Sequence, residues 1–313
     1  MPARNSACIC GSGKRFKHCH GQLEQNLPGQ ITFPFSARFD QLSLSSCYLE
    51  LFANNSLIGN ATGFLWRHSD DVYLVTNWHV VNNKDIFTGK TLEGPTCPDT
   101  IQVYASVQTS PSAEDTRLIG ANARGVLQAA IKVCVYDDFE KPHWLQHKDC
   151  PIKRIDVILL KLPASELGST TNKIVCINDY GFGKLLMFPG SEIFIIGYPM
   201  RESVASYKLP IWKNGTIARE PFSGWQNRPA FLVDGRTSKG MSGSPVVRRD
   251  YGPSTTSLLE THLDVVVTSE FLGIYSGRLI DGDDMPSIGI VWWRSVIDEI
   301  LARPEPAQRY FDT

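Results

Sequence analysis

Three residues far apart in the chain are of the types that acyl transfer requires, each in a suitable local setting. Ser242 stands in Gly240-Met241-Ser242-Gly243-Ser244-Pro245, a serine held between glycines. Glycine tolerates the backbone angles of a turn that exposes a hydroxyl, and it lets a carbonyl approach backbone N–H groups. Gly/Ser turns are common between strands, so this motif gains meaning only from a base and an acid elsewhere. His79 ends the apolar run Tyr73-Leu74-Val75-Thr76-Asn77-Trp78-His79. Asp156 precedes the branched apolar run Val157-Ile158-Leu159-Leu160-Lys161-Leu162. A carboxylate beside such a run can be buried only with hydrogen-bond partners, and a histidine N–H is one. Taken singly, the histidine reads as a solvated strand end and the aspartate as a strand-edge acid.

A second constellation lies near the amino terminus. Cys8-Ile9-Cys10-Gly11-Ser12-Gly13 places two cysteines in one tight turn, and Cys19-His20 follows after the glycines bend the chain back. Cys8, Cys10, Cys19 and His20 form a donor set for a tetrahedral zinc ion. Gly11-Ser12-Gly13-Lys14 lacks the full spacing and the strand–helix context of a phosphate loop. Lys14, Arg15, Lys17 and His18 could form a small basic patch for nucleic acid or acidic protein, but the favoured reading is a solvated face beside the metal; His18 is a spare candidate ligand whose position fits less well than that of His20. The segment resembles the SEC-C motif, a small zinc-binding element found at the carboxy-terminal end of the SecA translocation ATPase and on many bacterial proteins. A structural zinc would replace the core that so short a segment cannot build, and the expected role is docking of a protein partner.

The order His79, Asp156, Ser242 joins the three chemical motifs. Thr76-Asn77-Trp78-His79-Val80-Val81, Asp156-Val157-Ile158-Leu159-Leu160, Gly240-Met241-Ser242-Gly243-Ser244-Pro245 and Leu272-Gly273-Ile274-Tyr275-Ser276-Gly277 together resemble the chymotrypsin-like (trypsin-like) serine peptidases. The resemblance spans roughly residues 45–302. It implies that Ser242 attacks the scissile carbonyl, His79 carries the proton and Asp156 orients His79. It also implies an oxyanion hole from the backbone N–H groups of Gly240 and Ser242. Gly273, Tyr275, Ser276 and Gly277 would support extended substrate beside a specificity pocket. Arg236 stands six positions before Ser242, where an aspartate would select Lys or Arg, and Asp234 is close enough to take that place under another alignment; from Arg236 the expectation is that basic residues are not preferred before the cleaved bond. Met241 replaces the acidic residue of secreted relatives, and its backbone is expected to matter more than its side chain. The competing class is a binding or scaffold protein that keeps the fold without the chemistry.

The elements that must position these residues read as β-structure. Short apolar runs separated by Gly, Pro, Asn and Asp begin at Cys47 and predict strands. The expected fold is all-β, two six-stranded antiparallel β-barrels with a C-terminal helix and a small N-terminal zinc element. The boundaries are a zinc element over 1–22, a linker or strap over 23–44, and a peptidase domain over 45–302. Within that domain, barrel one runs over 45–163, barrel two over 184–290 and the helix over 294–302, before a tail at 303–313. The polar stretch Arg249 to His262 is expected to be a surface insertion beside the cleft.

Composition agrees with a globular protein: 313 residues, 42% hydrophobic and 20% charged. A formal net charge of -1 gives no general reason to expect nucleic acid or membrane as partner. No apolar run approaches the roughly 20 residues of a membrane helix, and the amino-terminal stretch holds cysteines and basic residues instead of a signal-peptide core. A cytoplasmic location follows as the expectation. Of the eight cysteines, Cys47, Cys97, Cys134, Cys150 and Cys176 remain after zinc and are expected to be buried thiols. The protein is thus expected to be a bacterial-type intracellular serine endopeptidase acting on protein or peptide substrates.

Overall fold

The computed structural model describes residues 38–307 apart from 93, 95, 109–120, 123–125, 138–140, 168–173, 201–207, 254–264 and 280–287. The zinc-ligand candidates Cys8, Cys10, Cys19 and His20 lie outside the described residues. Strand β1 (Arg38–Phe39) and helix α1 (Gln41–Ser45) lead into β2 (Ser46–Ala53), β3 (Ser56–His68) and β4 (Asp71–Thr76). Then come α2 (Trp78–Asn82), β5 (Thr100–Gln108), β6 (Ala121–Asn122), β7 (Val126–Cys134), β8 (Trp144–Gln146), α3 (Cys150–Lys153) and β9 (Ile158–Lys161). Helix α4 (Ala164–Leu167) opens the crossover. The second half holds β10 (Glu192–Gly197), β11 (Ile211–Ile217), β12 (Ala230–Asp234), β13 (Pro245–Pro253), β14 (Val265–Arg278) and β15 (Ile288–Trp293), followed by α5 (Ser295–Ala302) and β16 (Glu305–Pro306).

Local chemistry explains the hairpins. Asn54 and Asn55, both at positive φ (49° and 61°), form the two-residue turn between β2 and β3, and asparagine accepts that conformation better than most residues. The second half closes into a barrel in the order β10-β11-β12-β15-β14-β13. The first half is an eight-stranded sheet, β16-β8-β9-β4-β3-β2-β5-β7. Its opposite ends share one core, with Ile131 and Val133 of β7 packing in the same cluster as Trp144 of β8. The all-β architecture of two halves and a C-terminal helix is therefore present, with one barrel closed by six strands and the other half a larger sheet wrapped on its own core.

A third body of packing joins the halves. Phe64, Val75 and Leu159 from the first half meet Ile196, Phe271, Trp292 and Ile297 from the second. Arg67 clamps the crossover, donating from Nε and Nη2 to the two carboxylate oxygens of Asp179 at 3.0 Å each. The carboxy-terminal segment returns to the first half: Glu305 and Pro306, expected as part of a tail, pair with Gln146 and Leu145. His147 Nε2 meets Glu299 Oε2 of α5 at 2.8 Å, and the Asp149 N–H donates to its Nδ1 at 3.0 Å.

Two expectations change. Arg249 to Pro253 belong to β13 and pair with β14 out to Pro253 opposite Val265, so the predicted insertion begins later than its polarity suggests. The polar residues there sit on a long hairpin arm, where one face meets water. Cys47, Cys150 and Cys176 are buried free thiols, but Cys97 is partly exposed and Cys134 exposed. Cys134 falls on the outward face of β7, whose buried positions are Ile131 and Val133, as strand alternation requires. Burial pushes the Cys150 and Cys176 thiols up to about 12, which keeps them unreactive.

Candidate active site

His79 rides on α2, a single helical turn anchored by Trp78, Val80 and Val81 in the core of the first half. Asn83 ends the turn in a left-handed conformation, its N–H returning to the His79 carbonyl at 2.8 Å, a C-cap for which asparagine is suited. With three flanking side chains pinned in the core, the imidazole is left at the junction of the two halves. Its side chain is 17% exposed.

Asp156 lies between α3 and β9, with Ile155 and Val157 packed in the interface core on either side. Only 1% of Asp156 is exposed. Its charge is met by three donors. His79 Nδ1 approaches Oδ2 at 2.6 Å, the His79 backbone N–H donates to Oδ1 at 2.9 Å, and Ser276 Oγ donates to Oδ2. Asn77 Nδ2 donates to the Asp156 carbonyl at 2.7 Å, fixing the backbone that carries the carboxylate. Hydrogen bonds of this kind are what a buried carboxylate needs to offset its desolvation. Burial alone would lower the His79 pKa, but the charge of Asp156, its hydrogen bond and a further contribution from Asp85 outweigh that and raise it.

The Ser242 turn is built across both halves. Gly240 and Gly243 hold φ of +91° and +86°, which strain any residue with a Cβ. A Cβ on Gly243 would also collide with the Thr62 carbonyl and the Thr76 hydroxyl. Thr62, fully buried on β3, grips the turn: its N–H donates to the Ser242 carbonyl at 3.0 Å and its Oγ1 to the Gly240 carbonyl at 2.7 Å. Thr76, three residues before His79, donates from Oγ1 to the Thr62 carbonyl at 2.9 Å. On the other flank, the Gly243 N–H donates to the Tyr275 carbonyl at 3.0 Å and the Tyr275 N–H to the Ser244 carbonyl at 2.9 Å. Ser242 is thus tied to β4, which leads into the helix of His79, through Thr62 and Thr76, and to Asp156 through Tyr275 and Ser276. The Gly240 and Ser242 N–H groups have no acceptor among the described residues.

The remaining sequence-predicted residues fall in different places. Gly273 is buried in the barrel wall, where a Cβ would collide with the Trp292 carbonyl, so it serves the approach of β14 and β15. Tyr275 points into the barrel, 1% exposed, with its hydroxyl hydrogen-bonded to Thr237 and its ring against Gly289. Ser276 sits in an irregularity of the β14–β15 register, where Tyr275 pairs Val291 and Gly277 pairs Ile290. The extra residue turns its hydroxyl to Asp156. Gly277 is partly exposed with φ of +134°, and Arg236 is exposed on the approach to the turn. Met241 is fully buried in the core of the closed barrel, so its side chain anchors the turn in addition to its backbone. Thr62 and Thr76 were not singled out from the sequence. A polar residue inside a glycine-punctuated strand run was the available signal, but its partner at Gly240 is 178 residues away.

A two-half β-fold with a hydrogen-bonded His79–Asp156 pair and a partly exposed Ser242 turn tied to the same strands is the arrangement of the double-barrel peptidase class. The chain belongs to the trypsin-like peptidase domain family, which it matches over residues 61–252, and residues 4–22 match the SEC-C motif. A serine endoprotease from Yersinia pestis aligns over 84% of this chain and 65% of its own at 14% identity, with a TM-score of 0.44. The active form of the Rv3671c protease from M. tuberculosis aligns over 91% of this chain and 94% of its own, also at 14% identity, with a TM-score of 0.40. The SecA translocase subunit of Pseudomonas putida strain W619 is 76% identical over 21 residues, 7% of this chain. The chain spans 2% of that relative's length. Among the described residues no helix is long and apolar enough to cross a membrane, and no group of three or more His, Cys, Asp or Glu could hold a metal ion.

Proposed function

We propose that the protein is an intracellular serine endopeptidase that hydrolyses peptide bonds in protein substrates through Ser242, His79 and Asp156. The observation that carries this reading is the buried Asp156, bonded to both the backbone N–H and Nδ1 of His79 beside the Ser242 turn. With Nδ1 held by Asp156, Nε2 is the imidazole atom left to take the Ser242 proton. Ser242 Oγ then bonds to the scissile carbonyl carbon, and the carbonyl oxygen becomes an oxyanion for the Gly240 and Ser242 N–H groups. Collapse expels the amine, which takes the proton from His79, and leaves an acyl-enzyme. Water repeats the sequence and releases the acid.

Tyr275 and Thr237 bear on which residue precedes the cut bond. The Tyr275 ring spans from β14, hydrogen-bonded to the turn, to the segment just before Ser242. Tyr275 is buried beside Thr237, and with the exposed Arg236 this supports the reading that Lys or Arg is disfavoured there. Gly277 is left as the substrate-supporting backbone beside Ser276.

Cys8, Cys10, Cys19 and His20 suit zinc by the chemistry of the donor set, three thiolates and an imidazole. A zinc ion there would order the amino-terminal element structurally. That element is assigned to docking a protein partner or substrate, and the peptidase centre to the cytoplasm. The test of the function is cleavage of unfolded casein by the full chain and by Ser242→Ala. Fragments that appear with the first and not the second support the reading, and equal fragmentation or none from either overturns it.

A further inference from the structure

An oxyanion donor works only where it is held at the place the charge develops. The Gly240 N–H is carried by a glycine-rich turn with little stiffness of its own, so its position depends on what the turn rests on. It rests on the end of β10. A Cβ on Gly240 would collide with the Tyr198 carbonyl, and a Cβ on Gly197 would collide with Ser244 Oγ. The Tyr198 N–H donates to Thr62 Oγ1 at 3.0 Å, and Thr62 Oγ1 donates to the Gly240 carbonyl. Gly197 and Tyr198 are therefore the seat of both ends of the turn.

The barrel does not secure that seat by itself. Strand β10 pairs with β13 at Phe194 and Ile195, and the pairing stops where the chain before β13 becomes the Ser242 turn. Beyond it the Ile196 carbonyl accepts from Ser46 Oγ at 3.0 Å. The Tyr198 hydroxyl lies 3.2 Å from the Ser46 carbonyl and 3.1 Å from the Lys208 carbonyl, two acceptors for its one proton. Ser46 and Tyr198 are each 1% exposed, so water does not compete for these bonds. Ser46 thus fastens the residues on both sides of Gly197.

Ser46 directly follows α1, which leads into the first half but is tied to the second. Asp40 caps the helix and meets Arg249 Nη1 of β13 at 2.7 Å. Trp212 Nε1 of β11 donates to Ser43 Oγ at 2.8 Å, and Leu42 packs in the core between the halves. All of Asp40–Ser46 precedes residues 61–252, which match the peptidase family. We propose that Asp40–Ser46 is a brace for the oxyanion hole, with Ser46 and Tyr198 as positioning residues that act through the Gly240 peptide. The proposal rests on the peptidase reading and names what holds its oxyanion donor in place.

A trifluoromethyl ketone built on the acyl side of a casein site that the protein cuts reads the donor directly. Ser242 Oγ adds to the ketone carbon, its proton passes to His79, and the ketone oxygen becomes an anion in the hole. The alcohol of the same peptide fills the same subsites without forming that anion. In Tyr198→Phe the ketone is expected to bind about tenfold more weakly, a fraction of what losing a donor costs, and kcat to fall by about the same factor. KM and the affinity of the alcohol hold. Ser46→Ala weakens the ketone in the same direction, and Ser46→Thr, which keeps the hydroxyl, restores it. Asp40→Asn keeps the helix cap but removes the charge facing Arg249, and it moves ketone affinity the same way by less. Dissociation constants read only folded protein, so a loss of fold does not imitate these shifts. Ketone affinity unchanged in Tyr198→Phe and Ser46→Ala, or ketone and alcohol weakened equally, overturns the proposal while Ser242-dependent cleavage persists. If the wild-type chain neither cuts casein nor binds the ketone through Ser242, the peptidase reading itself falls.

Discussion

His79 has a raised pKa because Asp156, nearly fully buried, offers it a charge and a 2.6 Å hydrogen bond that outweigh its own burial. The imidazole must be neutral to accept the Ser242 proton. The rising limb of kcat/KM with pH is therefore expected to have its midpoint above the ordinary value of about 6.5. Asp156→Asn removes the charge, so the midpoint should fall and the rate should drop by about ten-thousand-fold. Peptide hydrolysis measured from pH 5 to 9 in both proteins checks this, and an unmoved midpoint would contradict it. The same shift has a sign for stability. Folding favours the protonated imidazole, so the pair's contribution is fully present below about pH 6.5 and is lost as pH rises through the raised value. His79, Asp156 and Ser242 were legible as candidates because each has a distinctive neighbourhood in sequence. The burial of Met241 was not, because in a Gly-rich turn sequence alone does not say which side chain points inward.

At the scale of elements, the site depends on β3 as much as on the helix and turns that carry the three residues. Thr62 uses its hydroxyl twice, accepting from the Tyr198 N–H at 3.0 Å and donating to the Gly240 carbonyl at 2.7 Å. Valine has the same shape without the hydrogen bonds, and leaving buried partners unmet costs about 1–3 kcal/mol each. Thr62→Val is expected to lower the thermal midpoint by several degrees and to slow acylation of Ser242 more than tenfold as the Gly240 peptide loses its anchor. Thr62→Ser should restore most of both. Thermal unfolding with stopped-flow acylation measures the pair of effects, and an unchanged acylation rate in Thr62→Val would count against this role. Strands of the closed barrel were readable from apolar runs such as Glu192–Gly197, which β10 matches. The return of Glu305–Pro306 to β8 was not, because a two-residue edge strand carries no periodicity.

The whole molecule combines a trypsin-like peptidase domain with an amino-terminal segment that matches the SEC-C motif. The two are expected to be separable, since the His79 and Asp156 partners named above all lie within the body. Replacing Cys8 and Cys10 with serine should abolish zinc binding, read by metal analysis, while Ser242 keeps its reactivity. Loss of that reactivity together with the zinc would show that the segment helps to build the site. The central claim is narrower than any of these assemblies: Ser242 is a nucleophile activated by His79. Mass spectrometry after treatment with a fluorophosphonate probe tests it most directly. The account predicts one covalent adduct, on the Ser242 peptide, absent from Ser242→Ala and strongly reduced in His79→Ala. An unmodified Ser242 in the folded full chain, or labelling that survives in His79→Ala at the same rate, would contradict it.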